Sequence, residues 1–358
     1  MGVAANGGEK KEGTGATPVR DPFQLRLGWF LITPVIRLRR GLGRLRAVFR
    51  PARSRVRLRW SPAAASALAP LVWTNARVVR EYLHERVSGH PGCDWVTWML
   101  SRYSRGAGLS ALVLGGGEGW LERVLARDPR IVKVMGVDIA PEAIEEAERL
   151  ARKEGLSGTI LHAVLDLDRD PVPGGPYDLV LAHDAIHHVR DLEGLFDRIG
   201  QVLAPDGTLL FCEYVGPRRF DFDASRQALL DDALRSLPER YRRLSGGKGL
   251  ATRGHRTDPV ELAIRDPSEA VRSDEILPVL RASMDVREEI PYGGGLLAPL
   301  LFELILNFEE GNDADDEILR RLCERERSLM ASGDLPSDYV VVAAKKRADR
   351  AAGGSGPD

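Results

Sequence analysis

Apolar and polar positions change their pattern close to Ser110. Before this point, residues 61–105 place apolar side chains such as Leu71, Val79 and Tyr82 at helical spacing. After it, short apolar runs alternate with longer segments that have one apolar face at helical period. Short, wholly apolar strands are typical of a parallel sheet that is covered on both faces. The pattern therefore predicts helices first and an α/β fold afterwards.

Seven strands are predicted in the second part of the chain. The first five alternate with helices, which implies a doubly wound, Rossmann-like, mostly parallel seven-stranded sheet. The last two follow a break in this rhythm, within and after an interval that looks mostly helical. The predicted strands are 111–114, 132–137, 160–164, 177–182, 208–214, 284–290 and 339–343.

These patterns divide the 358 residues into six segments. We expect a disordered or weakly ordered basic arm at 1–60, a helical N-terminal cap at 61–105 and a ligand-binding core at 106–214. A long insert at 215–335 follows strand five, the final core strand lies in 336–347, and 348–358 is a tail. Because ligands bind beyond the carboxyl ends of the strands in such sheets, the cap and the insert are expected to cover the substrate.

Charge is uneven along the chain, although the formal net charge is only -1. Between Arg20 and Trp60 there are twelve arginines and one acid, Asp21. A basic arm packed on the body of the protein would explain this run. Arginines interleaved with aromatic residues also favour anionic interfaces, so a peripheral membrane contact is the second interpretation. No nucleic-acid partner is expected, because no recognition motif accompanies the charge; the oligomeric state does not follow from the sequence.

Cysteine usage and hydropathy indicate a cytoplasmic protein. The three cysteines, Cys93, Cys212 and Cys323, are far apart and lack metal-ligand spacing, so reduced thiols are expected and a metal site is not. No apolar run approaches the roughly 20 residues that span a membrane. The first twenty residues are Gly-rich and charged, unlike a signal peptide.

A glycine loop between the first strand and the next helix is the strongest chemical feature. It places Gly115, Gly117 and Gly119 at G-x-G-x-G spacing. Glycines at such a turn let a ligand approach the backbone and the free N–H groups at the helix start. The dinucleotide fingerprint G-x-G-x-x-G would need a glycine where Trp120 stands. The spacing therefore disfavours a nicotinamide oxidoreductase.

With this loop and the acids that follow it, residues 111–214 resemble the core of class I S-adenosylmethionine-dependent methyltransferases. The resemblance implies that Asp138, at the end of strand two, binds the ribose hydroxyls, since a carboxylate can accept two hydrogen bonds from a diol. Asp166 would receive the adenine amino group, with Asp168 as a rival, and His183 would line the cofactor through its backbone. The implied cofactor-binding residues are Gly115, Gly116, Gly117, Glu118, Gly119, Asp138, Ile139, Asp166, Leu167 and His183.

One position departs from the family pattern. Many members carry an acid two residues before the first glycine, where this chain has Val113. The methionine end of S-adenosylmethionine must then be held by backbone groups or by other residues. This departure is also the one feature that favours a methyltransferase-like binding module without catalysis.

Candidate catalytic residues follow strands four and five. His187 and His188 after strand four, with Glu213 at the end of strand five, resemble small-molecule and sugar O-methyltransferases of this class. The resemblance implies that His187 or His188 is the general base and that Glu213 raises its basicity. Alternatively, one histidine caps the next helix, as in members that methylate carbon or nitrogen.

Two arginines, Arg218 and Arg219, follow strand five directly. They could hold a phosphate or carboxylate of the substrate, or they could belong to a solvated turn. We therefore expect methyl transfer to a small-molecule, sugar or glycolipid acceptor, on oxygen and with a His base. The alternatives are a C- or N-methyltransferase of the same fold and the non-catalytic module.

Overall fold

The computed structural model describes residues 71–245 and 249–347, together with Ser54, Val56 and Pro62. Apart from Ser54 and Val56, the predicted basic arm lies outside the described residues, as does the tail at 348–358. Among the described residues, none of the helices combines the length and the apolar character needed to cross a membrane.

Seven strands of the described residues form one sheet, in the order β3-β2-β1-β4-β5-β7-β6. Strands β1 to β5 pair in parallel, and β7 lies antiparallel between β5 and β6. The doubly wound, mostly parallel seven-stranded sheet is therefore confirmed. The strands are β1 Leu109–Leu114, β2 Ile131–Asp138, β3 Ile160–Val164, β4 Tyr177–His183, β5 Leu203–Tyr214, β6 Asp285–Gly293 and β7 Tyr339–Lys345.

Helices lie before, between and after these strands. Two precede the sheet, three alternate with its first five strands, and the others lie between β5 and β7. Their bounds are α1 Arg77–Ser88, α2 Trp95–Tyr103, α3 Trp120–Leu125, α4 Pro141–Lys153, α5 Leu192–Val202, α6 Ala224–Ser236, α7 Pro259–Arg265, α8 Ile276–Ser283, α9 Leu297–Leu301 and α10 Asp313–Ser332.

Two hydrophobic layers cover the two faces of the sheet. Successive strand residues point to opposite faces, so Val113 belongs to one layer and Leu112 to the other. The first layer contains apolar residues of α1, α2, α3, α6 and α10. The second contains apolar residues of α5 and α8. In this three-layer arrangement, the loops that follow the parallel strands meet at the edge of the sheet where the carboxyl ends of those strands lie.

Strand β5 begins earlier than the pattern predicts. Leu203 pairs with Tyr177, and the next pair joins Thr208 to Leu179. The residues between them, which include the Pro-Asp-Gly turn at 205–207, form an irregularity within the strand. Within the insert after β5, the strand predicted at 284–290 is present as β6 and extends the sheet beyond β7.

Candidate functional site

The glycine loop lies open at the carboxyl end of β1. Gly115, Gly117 and Gly119 have positive φ angles of 64°, 54° and 74°, a region that glycine enters without steric cost. A Cβ atom on Gly117 would meet nothing within 4 Å, so this glycine faces free space. The Gly117 N–H donates a hydrogen bond to Asp138 Oδ2 at 3.0 Å, which joins the loop to the end of β2.

Asp138 has the properties required of a ribose ligand. Its Oδ1 accepts a hydrogen bond from the Ala140 N–H at 2.8 Å, and the carboxyl group is almost fully buried. Burial raises the pKa of Asp138, and hydrogen bonds from the N–H groups of Ala140, Gly117 and Ile139 oppose that rise. A carboxylate has about four lone-pair sites, and three backbone N–H groups already face this one, so about one site remains for a hydroxyl of a nucleoside.

Asp166 and Asp168 have different partners. Asp166 Oδ1 accepts the N–H of Asp168 at 3.1 Å, which closes a turn after β3. Asp168 Oδ1 accepts the N–H groups of Arg190 and Asp191 at 2.7 and 2.9 Å, and so ties this turn to the start of α5. Both acids line the same cavity. Both acids are engaged by backbone groups, and the choice between them for adenine recognition stays a prediction.

These residues surround a first cavity of about 690 Å³, within the range of small-molecule sites. Every residue implied for cofactor binding lines it except Gly119, which is the N-cap of α3. The loop, the buried Asp138 carboxyl and the volume together fit a nucleoside cofactor such as S-adenosylmethionine. Trp120, which sequence reasoning treated only as a missing glycine, also lines this cavity.

His183 contributes its ring to this cavity wall, in addition to the backbone role expected from the sequence. The ring stacks on Trp95, with centroids 5.7 Å apart and an interplanar angle of 11°. Trp120 meets it edge-on at 5.3 Å. Trp95 is buried in α2, and its ring supports this aromatic group.

A chain of hydrogen bonds joins the ends of β4 and β5 to the insert. His187 lies in a 3₁₀ turn after β4, and its Nδ1 is 2.8 Å from Glu213 Oε2. Its Nε2 is 3.4 Å from Glu269 Oε1. Glu213 is fully buried, and its Oε1 accepts the N–H groups of Ala185 and Ile186 at 2.6 and 2.7 Å. The structure contains a contact between His187 and Glu213. Glu269 also contacts His187, which the sequence did not indicate.

The two carboxylates favour the charged form of His187. Burial opposes the charge, but hydrogen bonds and electrostatic attraction from Glu213 and Glu269 raise the pKa of His187 well above its ordinary value. Burial likewise opposes ionisation of Glu213, yet the same hydrogen bond and charge hold the pKa of Glu213 below its usual range. An imidazolium whose two nitrogens both face carboxylates cannot accept a proton from a substrate. These contacts disfavour His187 as the base, and the assignment of a general base to His187 or His188 stays a prediction.

His188 has a different environment from its neighbour. Its Nδ1 is 3.3 Å from the Ser268 hydroxyl, and it lines the first cavity. Burial, followed by the charge of His187, lowers the pKa of His188. His188 thus lies in the wall of the first cavity, in surroundings that favour its neutral form.

The charge of His187 can be measured directly. In protein with ¹⁵N-labelled histidines, we expect both ring nitrogens of His187 to remain protonated as the pH rises from 6 to 8, where an ordinary histidine with a pKa of about 6.5 loses a proton. His188 should be neutral over the same range. The variant His187→Gln assigns the signals. Loss of the His187 proton between pH 6 and 7 would contradict the cluster described above.

The two arginines after β5 are engaged within the protein. Arg218 is half-exposed and pairs with Asp274 at 3.3 Å and with Glu275. The Arg219 guanidinium donates to the carbonyl oxygens of Asp266, Pro267 and Glu269, at 3.1, 2.7 and 2.7 Å. Neither residue lines the two cavities described here. Their contacts indicate that Arg219 supports the loop carrying Glu269, and they do not favour the expected substrate-binding role.

A second cavity of about 480 Å³ adjoins the first. Asp184 lines both cavities, and Glu269 lines the second. Asp184 has a φ angle of 50°, an uncommon conformation for a residue other than glycine that occurs often at functional sites. Six aromatic residues line it, Trp73, Tyr214, Phe220, Phe222, Phe302 and Tyr339. Charged residues line it as well: Asp184, Arg256, Asp258, Glu261, Arg265, Asp266, Glu269 and Asp338.

Comparison with known proteins identifies the core. Residues 112–211 match the family model described as a methyltransferase domain. The demethylmenaquinone methyltransferase of Tropheryma whipplei (strain Twist) is 30% identical over 115 residues, covering 32% of this chain and 45% of that protein. The sterol 24-C-methyltransferase of Aspergillus fumigatus is 31% identical over 116 residues, covering 32% and 30%. The ajmaline N-methyltransferase of Rauvolfia serpentina is 31% identical over 98 residues, covering 27% and 33%.

The chain thus spans less than half the length of these curated relatives. Among solved structures, a geranyl diphosphate C-methyltransferase from Streptomyces coelicolor A3(2) is similar with a TM-score of 0.49 and 11% identity. That alignment covers 84% of this chain and 99% of the other.

Proposed function

We propose that this chain transfers a methyl group to a hydroxyl of an apolar, ring-containing small molecule. Its residues 112–211 are a class I S-adenosylmethionine-dependent methyltransferase domain. The observation that carries the proposal is the junction at Asp184, which lies in the walls of both cavities. A cofactor bound along the glycine loop and Asp138 would reach this junction from one side. An acceptor in the second cavity would reach it from the other.

The walls of the second cavity indicate the class of acceptor. Its volume of about 480 Å³ suits a small molecule. Six aromatic side chains offer flat apolar surfaces, which favour a ring system over the hydrophilic glycan considered from the sequence. The carboxyl groups of Asp184 and Glu269 provide polar contacts near the junction, where a hydroxyl group would be placed.

S-adenosylmethionine supplies an electrophilic methyl group: the C–O bond to the acceptor forms as the C–S bond breaks, and that electron pair remains on sulfur. The hydroxyl proton must leave in the same step. We propose that the carboxylate of Glu269 accepts this proton. His187 contacts Glu269, and Glu213 holds the imidazolium of His187 in position. With His187 charged, the three groups carry a net charge of about -1, which falls to zero when Glu269 takes the proton.

The proposal of an oxygen acceptor is based on Glu269. It is not based on the relatives, because their names state carbon and nitrogen methylation. A hydroxyl acceptor needs a group that removes its proton as the methyl group arrives. Glu269 is placed in the acceptor cavity to do so. An amine that arrives unprotonated would not require this carboxylate during methyl transfer.

An acceptor screen tests the proposal. Purified protein with S-adenosylmethionine is offered phenols, apolar alcohols, amines and sugars, and S-adenosylhomocysteine release is measured. We expect release with hydroxylated ring compounds. Ala298→Phe, which places a ring in the second cavity, should lower this turnover by at least about tenfold through steric exclusion and leave S-adenosylhomocysteine affinity within about twofold. Ala282→Phe, on an exposed site of α8, is the matched control.

Other results would redirect the proposal. Release with amines alone, insensitive to Glu269→Gln, would favour nitrogen methylation. Tight cofactor binding without release from any acceptor class would favour the non-catalytic module. Equal loss of cofactor affinity in the Ala298 variant would mean that the two cavities are not separate sites.

A further inference from the structure

A buried acid lies directly beneath the cofactor loop. Glu122 is in the first turn of α3, only 1% exposed. A Cβ atom built on Gly116 would overlap Glu122 Oε1, and so would a Cβ atom built on Gly136 in the middle of β2. The carboxyl group therefore fills a niche that exists because two facing residues lack side chains. This also accounts for a glycine inside a buried strand, where glycine usually weakens the sheet.

The niche provides little to stabilise a charge. Glu122 Oε2 is buried and has no hydrogen-bond partner among the described residues. The charged and titratable groups that face it are Asp138 on β2, Arg123 on its own helix and His162 on β3, across Gly136. Burial, with a smaller contribution from Asp138, outweighs the hydrogen bond from the backbone N–H of Glu122 and the charge of Arg123, and raises the pKa of Glu122 to about 8. Burial also lowers the pKa of His162, so this ring adds no positive charge at neutral pH.

We propose that Glu122 is a positioning residue of the cofactor loop: its neutral form holds Gly116 in place from below, and its ionisation loosens the loop and weakens cofactor binding. The first strand supplies no acid here, since Val113 stands two residues before the first glycine. Glu122 brings a carboxyl group to this loop from the helix instead. Because Gly116 and Asp138 both line the cofactor cavity, the proposal rests on the cofactor site of the proposed function.

Ionisation would act on the loop for two physical reasons. A buried carboxylate with an unpaired oxygen must recruit water or a donor, and Gly116 stands between Glu122 and the cavity. A negative charge at this point also repels Asp138, whose carboxylate holds the Gly117 N–H. Cofactor binding excludes water from the cavity and should raise the pKa of Glu122 further. Affinity for the cofactor is therefore expected to fall as the pH rises through about 8.

The first arm of the test uses the cofactor-free protein. An acid whose pKa is higher in the folded state loses a proton more readily when unfolded, so the folded state loses stability as the pH rises from the unfolded pKa toward the folded one. Chemical unfolding at pH 5 and pH 7 compares wild type, Glu122→Gln and Glu145→Gln, an exposed control on α4. We expect the unfolding constant of wild type, relative to Glu122→Gln, to rise by at least about tenfold between these values. The wild-type to Glu145→Gln ratio should change less than about twofold.

The second arm measures S-adenosylhomocysteine binding by calorimetry at pH 7 and pH 9. The wild-type Kd should rise several-fold more than that of Glu122→Gln, whose amide keeps the shape of the neutral acid and has no proton to lose. Comparison within each pH removes titration of the ligand itself. Glu122→Ala, which empties the niche, should weaken binding at both pH values.

The outcomes are distinguishable from failure of the proposed function. If wild type does not bind S-adenosylhomocysteine, the proposed function fails, and the first arm still reports the state of Glu122. Equal pH dependence of wild type and Glu122→Gln, in stability or in Kd, would overturn the inference. A loss of binding in Glu122→Gln as large as in Glu122→Ala would do so as well, since the neutral form would then be insufficient.

Discussion

Replacement of Glu269 by glutamine is expected to lower turnover by about a hundredfold or more, within the range typical of a lost general base. The amide keeps the size of the side chain but cannot take the hydroxyl proton as the methyl group arrives. Cofactor affinity should stay within about twofold. Glu269 lines the second cavity, proposed for the acceptor, and not the first, proposed for the cofactor. The measurement is kcat with the acceptor found in the screen, alongside S-adenosylhomocysteine calorimetry.

Glu261→Gln is the matched control for this change. Glu261 also lines the acceptor cavity, but it lies on α7, away from the His187 cluster. We expect less than about a threefold change in its kcat. Glu213 is unsuitable for this purpose, since its carboxylate also accepts two backbone N–H groups. Full turnover in Glu269→Gln would show that Glu269 does not accept the proton. One of the histidines would then be the candidate base.

Replacement of Asp138 by alanine is expected to weaken S-adenosylhomocysteine binding by about a hundredfold or more. The change would remove the proposed charge-assisted hydrogen bond to the ribose, worth about 1.5–3 kcal/mol. It also leaves the Gly117 N–H without its acceptor, so the loop loses its attachment to β2. Calorimetry measures the affinity, and thermal unfolding of the variant checks that the fold is retained.

Asp168→Ala is the control that separates loss of the ribose contact from a general loss of negative charge in the cavity. Asp168 lines the same cavity, but its carboxylate is tied to the start of α5. We expect a smaller loss of affinity, below about tenfold, because no direct ribose contact is removed. If Asp138→Ala binds S-adenosylhomocysteine as tightly as wild type, the nucleoside must lie elsewhere.

The grouping of the glycine loop with Asp138 could be predicted from the sequence because consecutive parallel strands end at one edge of the sheet. Gly117 and Asp138 come from different strands, and the alternation of strand and helix is sufficient to bring them together. The Gly-rich spacing and the Trp120 position then restrict the kind of ligand. None of this depends on the detailed packing of side chains.

The acceptor half could not be predicted in the same way. Glu269 lies in the insert, where no periodic pattern fixes the position of a loop, and the Arg219 contacts that support this loop are to backbone carbonyl groups. The sequence paired Glu213 with either His187 or His188. The protonation state of His187, however, follows from two carboxylates at once, and the second became visible only in three dimensions.

Glu122 illustrates the same limit within the cofactor half. As a residue in the first turn of a helix, it would be interpreted from the sequence as a favourable exposed charge. Its burial depends on the glycines at 116 and 136, which are distant in the chain and adjacent in space. Sequence spacing alone does not relate these three positions.

A crystal structure of the protein with S-adenosylhomocysteine would test the central claim most directly. We expect the ribose hydroxyls on the Asp138 carboxylate, the adenine near Asp166 and Leu167, and the sulfur atom at the junction marked by Asp184, facing the aromatic cavity. Binding of the nucleoside outside the cavity at the glycine loop, or a sulfur atom directed away from Asp184, would contradict the assignment of the two cavities.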